Sequence, residues 1–413
     1  MNQLKDFESE WNNIPYLTWV VRIGDFRLYK DDDEKIIDWA KVGYSIYWIE
    51  SIEELKNNKK EIIIVIPALT WNSRLFDTKS SQWNWWANKY WKPGNILDPN
   101  QNIIIWLDYF WWPYDSTGPD KHNLNFYPVP PEKQVEAWKK ALKKLWIKKI
   151  NILLWWSNWW WHIHTWIFDD QYQPEYLIPI AWPIAPTDEA KEFFKIQVDL
   201  IKQKKNISIR LVKNLSNLIW ISDLYDELVK LSISETYDLL ADWNNEKAIK
   251  LVRQIWFLKF LNPKFFDKFL NDKNWHAYED FDDAKNNMFN YFEKEWVNFE
   301  KRFSLSSLIL LSQAIVDADR IEPAKYVEQI WTKINLIIIS IEDDKLFETK
   351  PMQSYFNEIK EIRDIRWDKW ITQIEIIEST EVTKKAWHDT FLWNDEIQNI
   401  SNKITKNIIW KNT

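Results

Sequence analysis

Ser157 has the most reactive setting in the chain. Residues 153–166 read LLWWSNWWWHIHTW, with two tryptophans directly before the serine and three more just after Asn158. A serine hydroxyl becomes a nucleophile when a nearby base takes its proton. It does so best from a strained strand-to-helix turn that lifts the hydroxyl clear of a sheet. In such a turn the residues two positions to either side pass close together and must be small. Indoles cannot fill those places, whereas glycines can.

The composition bears on this point. The chain has 32 Trp and only 4 Gly in 413 residues, where ordinary usage of about 7% predicts about 29 Gly. We read most of the tryptophans as glycines, written as Trp because UGA codons were translated with a code that does not apply to the source. Residues 155–160 then read GGSNGG and contain G-x-S-x-G, with a strand-like run before and a helical pattern after. The backbone N–H of Asn158, at the start of that helix, would face the oxygen of a reacting carbonyl. Trp146 fits the same reading: it follows a helical pattern where a left-handed glycine cap belongs. Trp71 and Trp91 also stand in turn-like places. Trp138 and Trp166 sit inside helical patterns and read as true tryptophans. In a chain that is Trp-rich throughout, consecutive tight turns would be overpacked and strained.

Such a serine needs a base, and the histidines are His122, His162, His164, His276 and His388. His162 and His164 follow the serine too closely to reach back to it. As a metal pair they have no third ligand nearby. His122 and His276 lie in polar segments. His388, in AWHDTFLWN, falls between a late strand and the last helical pattern, where a loop histidine could reach the carboxyl edge of a sheet. An acid between Ser157 and His388 would complete a Ser–Asp–His order. Asp344, in IIISIEDDKLF, fits; Asp343 and Asp319 are its rivals. The acid would hold the imidazole tautomer and stabilise the imidazolium.

Composition excludes other chemistries. There is no cysteine, so disulfide, thiolate and cysteine-metal sites are ruled out. A net charge of −7 offers no basic face to nucleic acid or to an anionic membrane. The polar start MNQLKDFESEWNN does not resemble a signal peptide, and the apolar runs are strand-length. A cytoplasmic protein with no nucleic-acid or membrane partner is expected.

Several elements can be placed from pattern alone. Residues 17–48 alternate like a β-hairpin, with Gly24 and Gly43 near turns. Buried strands are expected at Ile62–Pro67, Ile103–Asp108, Ile150–Leu154 and Asn335–Ile341, and a further strand at Ile371–Glu378. Pro131–Leu145 reads as an amphipathic helix, with Val135, Trp138, Leu142 and Leu145 inward and Lys139, Lys140, Lys143 and Lys144 in solvent. Helical patterns also run to about Arg363 and over Asn394–Ile409. Strands alternating with helices predict an α/β fold: a mostly parallel sheet with helices on both faces. The helical texture of 186–324 reads as an inserted lid on a core formed by 1–185 and 325–413.

Taken together, WWSNWW, DDKLF at 343–347 and AWHDTFL at 386–392 resemble the homoserine O-acetyltransferase family of α/β-hydrolase-fold acyltransferases. PALTW at 67–71, NWWANKYWKPGNILD at 84–98, FWWPYDSTGPD at 110–120 and YFEKEWVNFEKRFSLSSLILLSQAI at 291–315 resemble its other segments in order. The second of these supports Trp85 and Trp86 as true tryptophans. The resemblance implies Ser157 as nucleophile, Asp344 as orienting acid and His388 as base. It implies oxyanion N–H groups from Leu69 and Asn158, and Asp389 on the substrate ammonium. The activity implied is ping-pong acetyl transfer from acetyl-CoA to the homoserine hydroxyl, in methionine biosynthesis. Acetyl-CoA is a co-substrate, no cofactor or metal is needed, and the assembly implied is a homodimer.

The chain also departs from the family pattern. Where the family holds the substrate carboxylate with an Arg and, seven residues on, a Tyr, the stretch LVKNLSNLIW offers Lys213 and Trp220. Lysine keeps the charge but loses the bidentate fork, and Arg210 is a neighbouring rival. Asn158 stands where the family has Met. A serine esterase on the same scaffold, an acyltransferase for another acceptor such as serine or for a succinyl donor, and a non-catalytic relative are the competing readings.

Overall fold

A computed structural model describes residues 16–30, 33–66, 95, 97–98, 100–110, 116–118, 129–156, 166, 172–180, 191, 194–195, 198, 312–313, 316, 334–341, 349–365, 372–377 and 403. Its frame is an eight-stranded sheet. In chain order the strands are β1 (Tyr16–Lys30), β2 (Asp33–Tyr47), β3 (Glu61–Ile66), β4 (Asn102–Leu107), β5 (Ile150–Trp156), β6 (Pro174–Ile180), β7 (Asn335–Ile341) and β8 (Thr372–Ile377). Across the sheet they run β1-β2-β4-β3-β5-β6-β7-β8. β1 and β2 are antiparallel, as are β2 and β4, and every pairing from β4 to β8 is parallel. The expected parallel sheet is present.

The central strands are apolar without alternation because both of their faces are covered. Ile63–Ile66, Ile103–Leu107, Ile152–Leu154 and Leu336–Ile339 are all buried. β6 was not among the expected strands, and it carries Pro174 and Pro179, a residue type that central strands disfavour. Pro174 only opens the strand, and β6 pairs on both sides, with Pro179 opposite Trp155.

Three helices are described in full: α1 (Ile52–Lys56), α2 (Pro131–Lys144) and α3 (Thr349–Ile365). The expected inner face of α2 is confirmed: Val135, Trp138, Leu142 and Leu145 are buried. Its lysines need one correction. Lys143 and Lys144 are exposed, but Lys139 is buried, and its Nζ donates to the Trp166 carbonyl at 3.2 Å. The long aliphatic stem fits an apolar wall while the ammonium finds an acceptor. Lys133 and Lys140 tie α2 to the hairpin. Each reaches Glu136 at 2.8 Å, and their ammonium groups lie 5.6 and 5.0 Å from the Phe26 ring. Burial raises the Glu136 carboxyl, but the hydrogen bonds from the two lysines outweigh it and hold the group below its ordinary value.

Gly24 and Gly43 are not at turns. The hairpin reverses between Lys30 and Asp33, which pair with each other, whereas Gly24 and Gly43 pair with Ala40 and Val20 inside the strands. Gly24 has φ +84° and sits beside a bulge in which Asp38 and Trp39 stand opposite Asp25. Trp39, Trp48 and Trp146 have φ of +57°, +69° and +63°. This left-handed region costs a residue with a Cβ about 1–2 kcal/mol. Trp146 is where the sequence places a helix cap.

Candidate functional site

The parallel strands end in a row. Ile66 pairs with Trp155, Trp155 with Pro179, Trp156 with Ile180, Ile180 with Ile339, and Ile341 with Ile377. The carboxyl ends of β3, β5, β6, β7 and β8 therefore form one edge. From β3 the chain crosses to β4 on one side; from β5 it crosses to β6 on the other. The crevice beyond β3 and β5 is thus the topological switch point, where open α/β sheets bind ligands.

The candidate residues follow these strand ends in sequence. Ser157 is the first residue after β5 and Asn158 the second; Leu69 follows Ile66 by three positions, Asp344 follows Ile341 by three, and His388 and Asp389 come after β8. Ser157, Asn158, Leu69, Asp344, His388, Asp389 and Lys213 themselves lie outside the described residues. So do His122, His162, His164, His276, Asp319, Asp343 and the helical pattern of 394–409 apart from Lys403. Of the expected lid, 186–324, only Lys191, Phe194, Lys195, Val198, Ser312, Gln313 and Val316 are described, each helical.

The described carboxyl edge has a built wall that sequence reasoning did not find. Asp108, just past β4, is buried. Its N–H donates to the Gly43 carbonyl at 2.9 Å, and its carbonyl accepts the Trp138 indole N–H at 2.8 Å. Gly43 in turn donates its N–H to the buried Ser116 hydroxyl at 2.9 Å. Lys41 N–H donates to Thr117 Oγ1 at 2.8 Å, and Thr117 N–H donates back to the Lys41 carbonyl at 2.9 Å. The Ser–Thr pair of DSTGPD thus completes the edge of β2 where β4 ends. The spacing of two hydroxyl residues after a strand was the available signal. Behind this wall Trp138 packs between Tyr109 and Trp166, with ring centroids 5.3 and 6.0 Å away. The Trp166 indole N–H donates to the Tyr172 carbonyl at 2.9 Å. Burial raises the Tyr109 phenol well above its ordinary value, which keeps it neutral.

Two surface clefts lie at the opposite, amino edge. One is lined by Glu54, Lys60, Glu61 and Gln101, the other by Lys143, Trp146, Lys148 and Tyr172. Among the described residues no His, Asp and Glu cluster could hold a metal ion, and no helix is long and apolar enough to cross a membrane.

A strand order with two antiparallel strands at one edge and six parallel strands beyond identifies the scaffold. The fold is that of the α/β hydrolases. Solved structures agree. A homoserine O-acetyltransferase from Staphylococcus aureus matches with a TM-score of 0.61 at 15% identity, covering 92% of each chain. One from Bacillus anthracis matches with a TM-score of 0.65 at 11% identity, covering 95% of this chain and 98% of the other. An acetylester hydrolase from Corynebacterium glutamicum matches with a TM-score of 0.64 at 13% identity, covering 95% of both. No family model matches the sequence, and no curated protein matches it.

Proposed function

We propose that this chain is an acyltransferase that moves an acetyl group from acetyl-CoA to the hydroxyl of homoserine through an acyl-serine intermediate. The reading rests on one observation above all. Ser157, Asp344 and His388 follow, in that chain order, one, three and eleven positions after β5, β7 and β8, parallel strands whose carboxyl ends form one edge, and β5 is one of the two strands that flank the switch point. Adjacent strands are about 4.8 Å apart, so β7 and β8 end roughly 10 and 14 Å from β5. His388 follows Ile377 by eleven positions, a reach of up to about 36 Å when extended. That length is enough to bring the imidazole back to the serine.

In the first half-reaction Ser157 Oγ attacks the thioester carbonyl as His388 takes its proton. The N–H groups of Leu69 and Asn158 stabilise the oxyanion, and CoA leaves as its thiol with the proton from His388. In the second, the homoserine hydroxyl gives its proton to His388 and attacks the acyl-serine, and Ser157 leaves reprotonated as the ester forms. Asp344 orients His388 throughout. Asp389 pairs with the substrate ammonium and Lys213 with its carboxylate. Glycine at 155, 156, 159 and 160 is part of this reading, because a nucleophile turn has no room for four indoles. The structure-matched enzymes include an acetylester hydrolase, which keeps water as acceptor in view. The working assembly proposed is a cytoplasmic homodimer.

The test is CoA thiol release by purified protein with acetyl-CoA, with and without homoserine. Release and O-acetylhomoserine formation that depend on homoserine and vanish in Ser157→Ala support transfer. Steady acetyl-ester hydrolysis without homoserine supports the esterase. Activity undiminished in Ser157→Ala would refute both.

A further inference from the structure

Five described residues have a left-handed backbone: Gly24, Trp39, Trp48, Trp146 and Tyr172. Three of the five are tryptophan, the bulkiest side chain and one that gains nothing from this conformation. Each of the three occupies a glycine position for its own reason. Trp146 is the residue after the α2 C-cap, Leu145. Its N–H donates to the Lys143 carbonyl at 3.2 Å, and Ile147 N–H donates to the Leu142 carbonyl at 3.0 Å. This is the paired hydrogen-bond pattern of a Schellman cap, whose left-handed residue is usually glycine. Ile147 and Leu142, the pair of positions that carries the apolar contact of such a cap, are both buried. Trp39 belongs to a two-against-one bulge of the hairpin, where a left-handed residue is again glycine by preference. Trp48 follows β2 in a bend that leads toward α1.

Two of these three indoles are largely in solvent, and the third, Trp48, has its ring 6.1 Å from that of Tyr47. Trp39 is 66% exposed and Trp146 60%, and Trp48 is half-buried. Trp39 and Trp146 meet the cations Arg22 and Lys56 at 6.0 and 4.9 Å, at the surface. Tyr172 is a useful contrast. It shares the left-handed backbone, but its side chain is buried and its carbonyl accepts the Trp166 indole N–H. A second group of tryptophans behaves in the opposite way. Trp106, Trp138 and Trp166 have 0% exposure and ordinary backbone; Trp138 and Trp166 also place their indole N–H on a carbonyl at 2.8 and 2.9 Å.

We infer that the natural polypeptide carries glycine at positions 39, 48 and 146 and tryptophan at 106, 138 and 166. Two codons are therefore hidden under one letter, UGA at the first three positions and UGG at the last three. The assignment follows from backbone and packing alone, so it stands or falls separately from acyl transfer.

Peptide mass spectrometry of the protein purified from the cells that make it tests the assignment. The peptides that include residues 39, 48 and 146 should each be lighter, at that position, by the difference between an indolylmethyl group and a hydrogen. Those that include 106, 138 and 166 should keep the indole. Tryptophan at any of the first three, or glycine at any of the last three, overturns the assignment. A second measurement uses the chain carrying Trp at 146. Trp146→Gly should raise its thermal midpoint and Tyr172→Gly should lower it, and a fall on Trp146→Gly would overturn the backbone argument.

Discussion

Replacing Trp138 with phenylalanine tests the wall at the carboxyl edge. The indole is fully buried, and its N–H reaches the Asp108 carbonyl at 2.8 Å. Phenylalanine keeps an aromatic ring between Tyr109 and Trp166 but has no donor. Losing a hydrogen bond of this kind costs about 1 kcal/mol net, and a buried acceptor left one donor short raises this toward about 1–3 kcal/mol. The smaller ring also leaves a void. Full truncation of a buried aromatic costs about 3–5 kcal/mol, and Phe should lose only part of that. The combined expectation for Trp138→Phe is a loss of about 2–4 kcal/mol. Urea unfolding followed by far-UV circular dichroism would read this as a lower midpoint at unchanged slope. A variant within about 0.5 kcal/mol of the parent, below the cost of even one lost hydrogen bond, would refute the claim that the indole N–H anchors the end of β4.

Three further predictions follow from the same contacts and from the proposed chemistry. Ser116→Ala leaves the buried Gly43 N–H without its hydroxyl acceptor and should cost about 1–3 kcal/mol. Thr117→Val should cost less, because the Thr117 N–H still donates to Lys41; urea midpoints of the two variants check the order. Glu61 has its carboxyl raised above the ordinary 4.5, first by burial and then by the Glu175 charge, with Lys149 opposing. A carboxyl raised in the fold weakens the folded state once it ionises, and the loss is recovered as pH falls through its folded value. Glu61→Gln should therefore raise the thermal midpoint at pH 7, by less than about 1 kcal/mol in free energy given solvent screening, and the gain should vanish near pH 4. Ser157→Ala should reduce acyl transfer by about 10⁴-fold or more while leaving the far-UV spectrum unchanged. Residual transfer within about tenfold of the parent, measured as CoA thiol release, would remove the serine from the mechanism.

Much of the sheet was legible because buried parallel strands are continuous apolar runs. Ile62–Pro67, Ile103–Asp108 and Ile150–Leu154 were each within a residue or two of β3, β4 and β5, and Asn335–Ile341 coincides with β7. The inner face of α2 was legible from its helical spacing. β6 was hidden by its two prolines, whose cost is local and is outweighed by pairing on both sides. The glycines of the hairpin misled, because a bulge uses the same residue as a turn. Lys139 was assigned to solvent by charge alone, and no pattern in sequence reveals a carbonyl waiting for its ammonium. Asp108, Ser116 and Thr117 were invisible as a unit because their contacts join residues far apart in the chain. Where Ser157, Asp344 and His388 follow the strands was legible, since order along a parallel sheet is read directly from the chain.

β6 and β7 are neighbours in the sheet, with Ile180 opposite Ile339, although all of 181–334 intervenes. The entropy of closing so long an excursion grows only with the logarithm of its length, about 0.6 kcal/mol for each doubling. The sheet of hydrogen-bonded strands is thus nearly indifferent to how many residues leave and return between these two. Natural variation is free to lengthen, shorten or rewrite that excursion while the frame keeps its register. Relatives built on this frame can diverge in what they admit to the switch point without re-inventing how they fold.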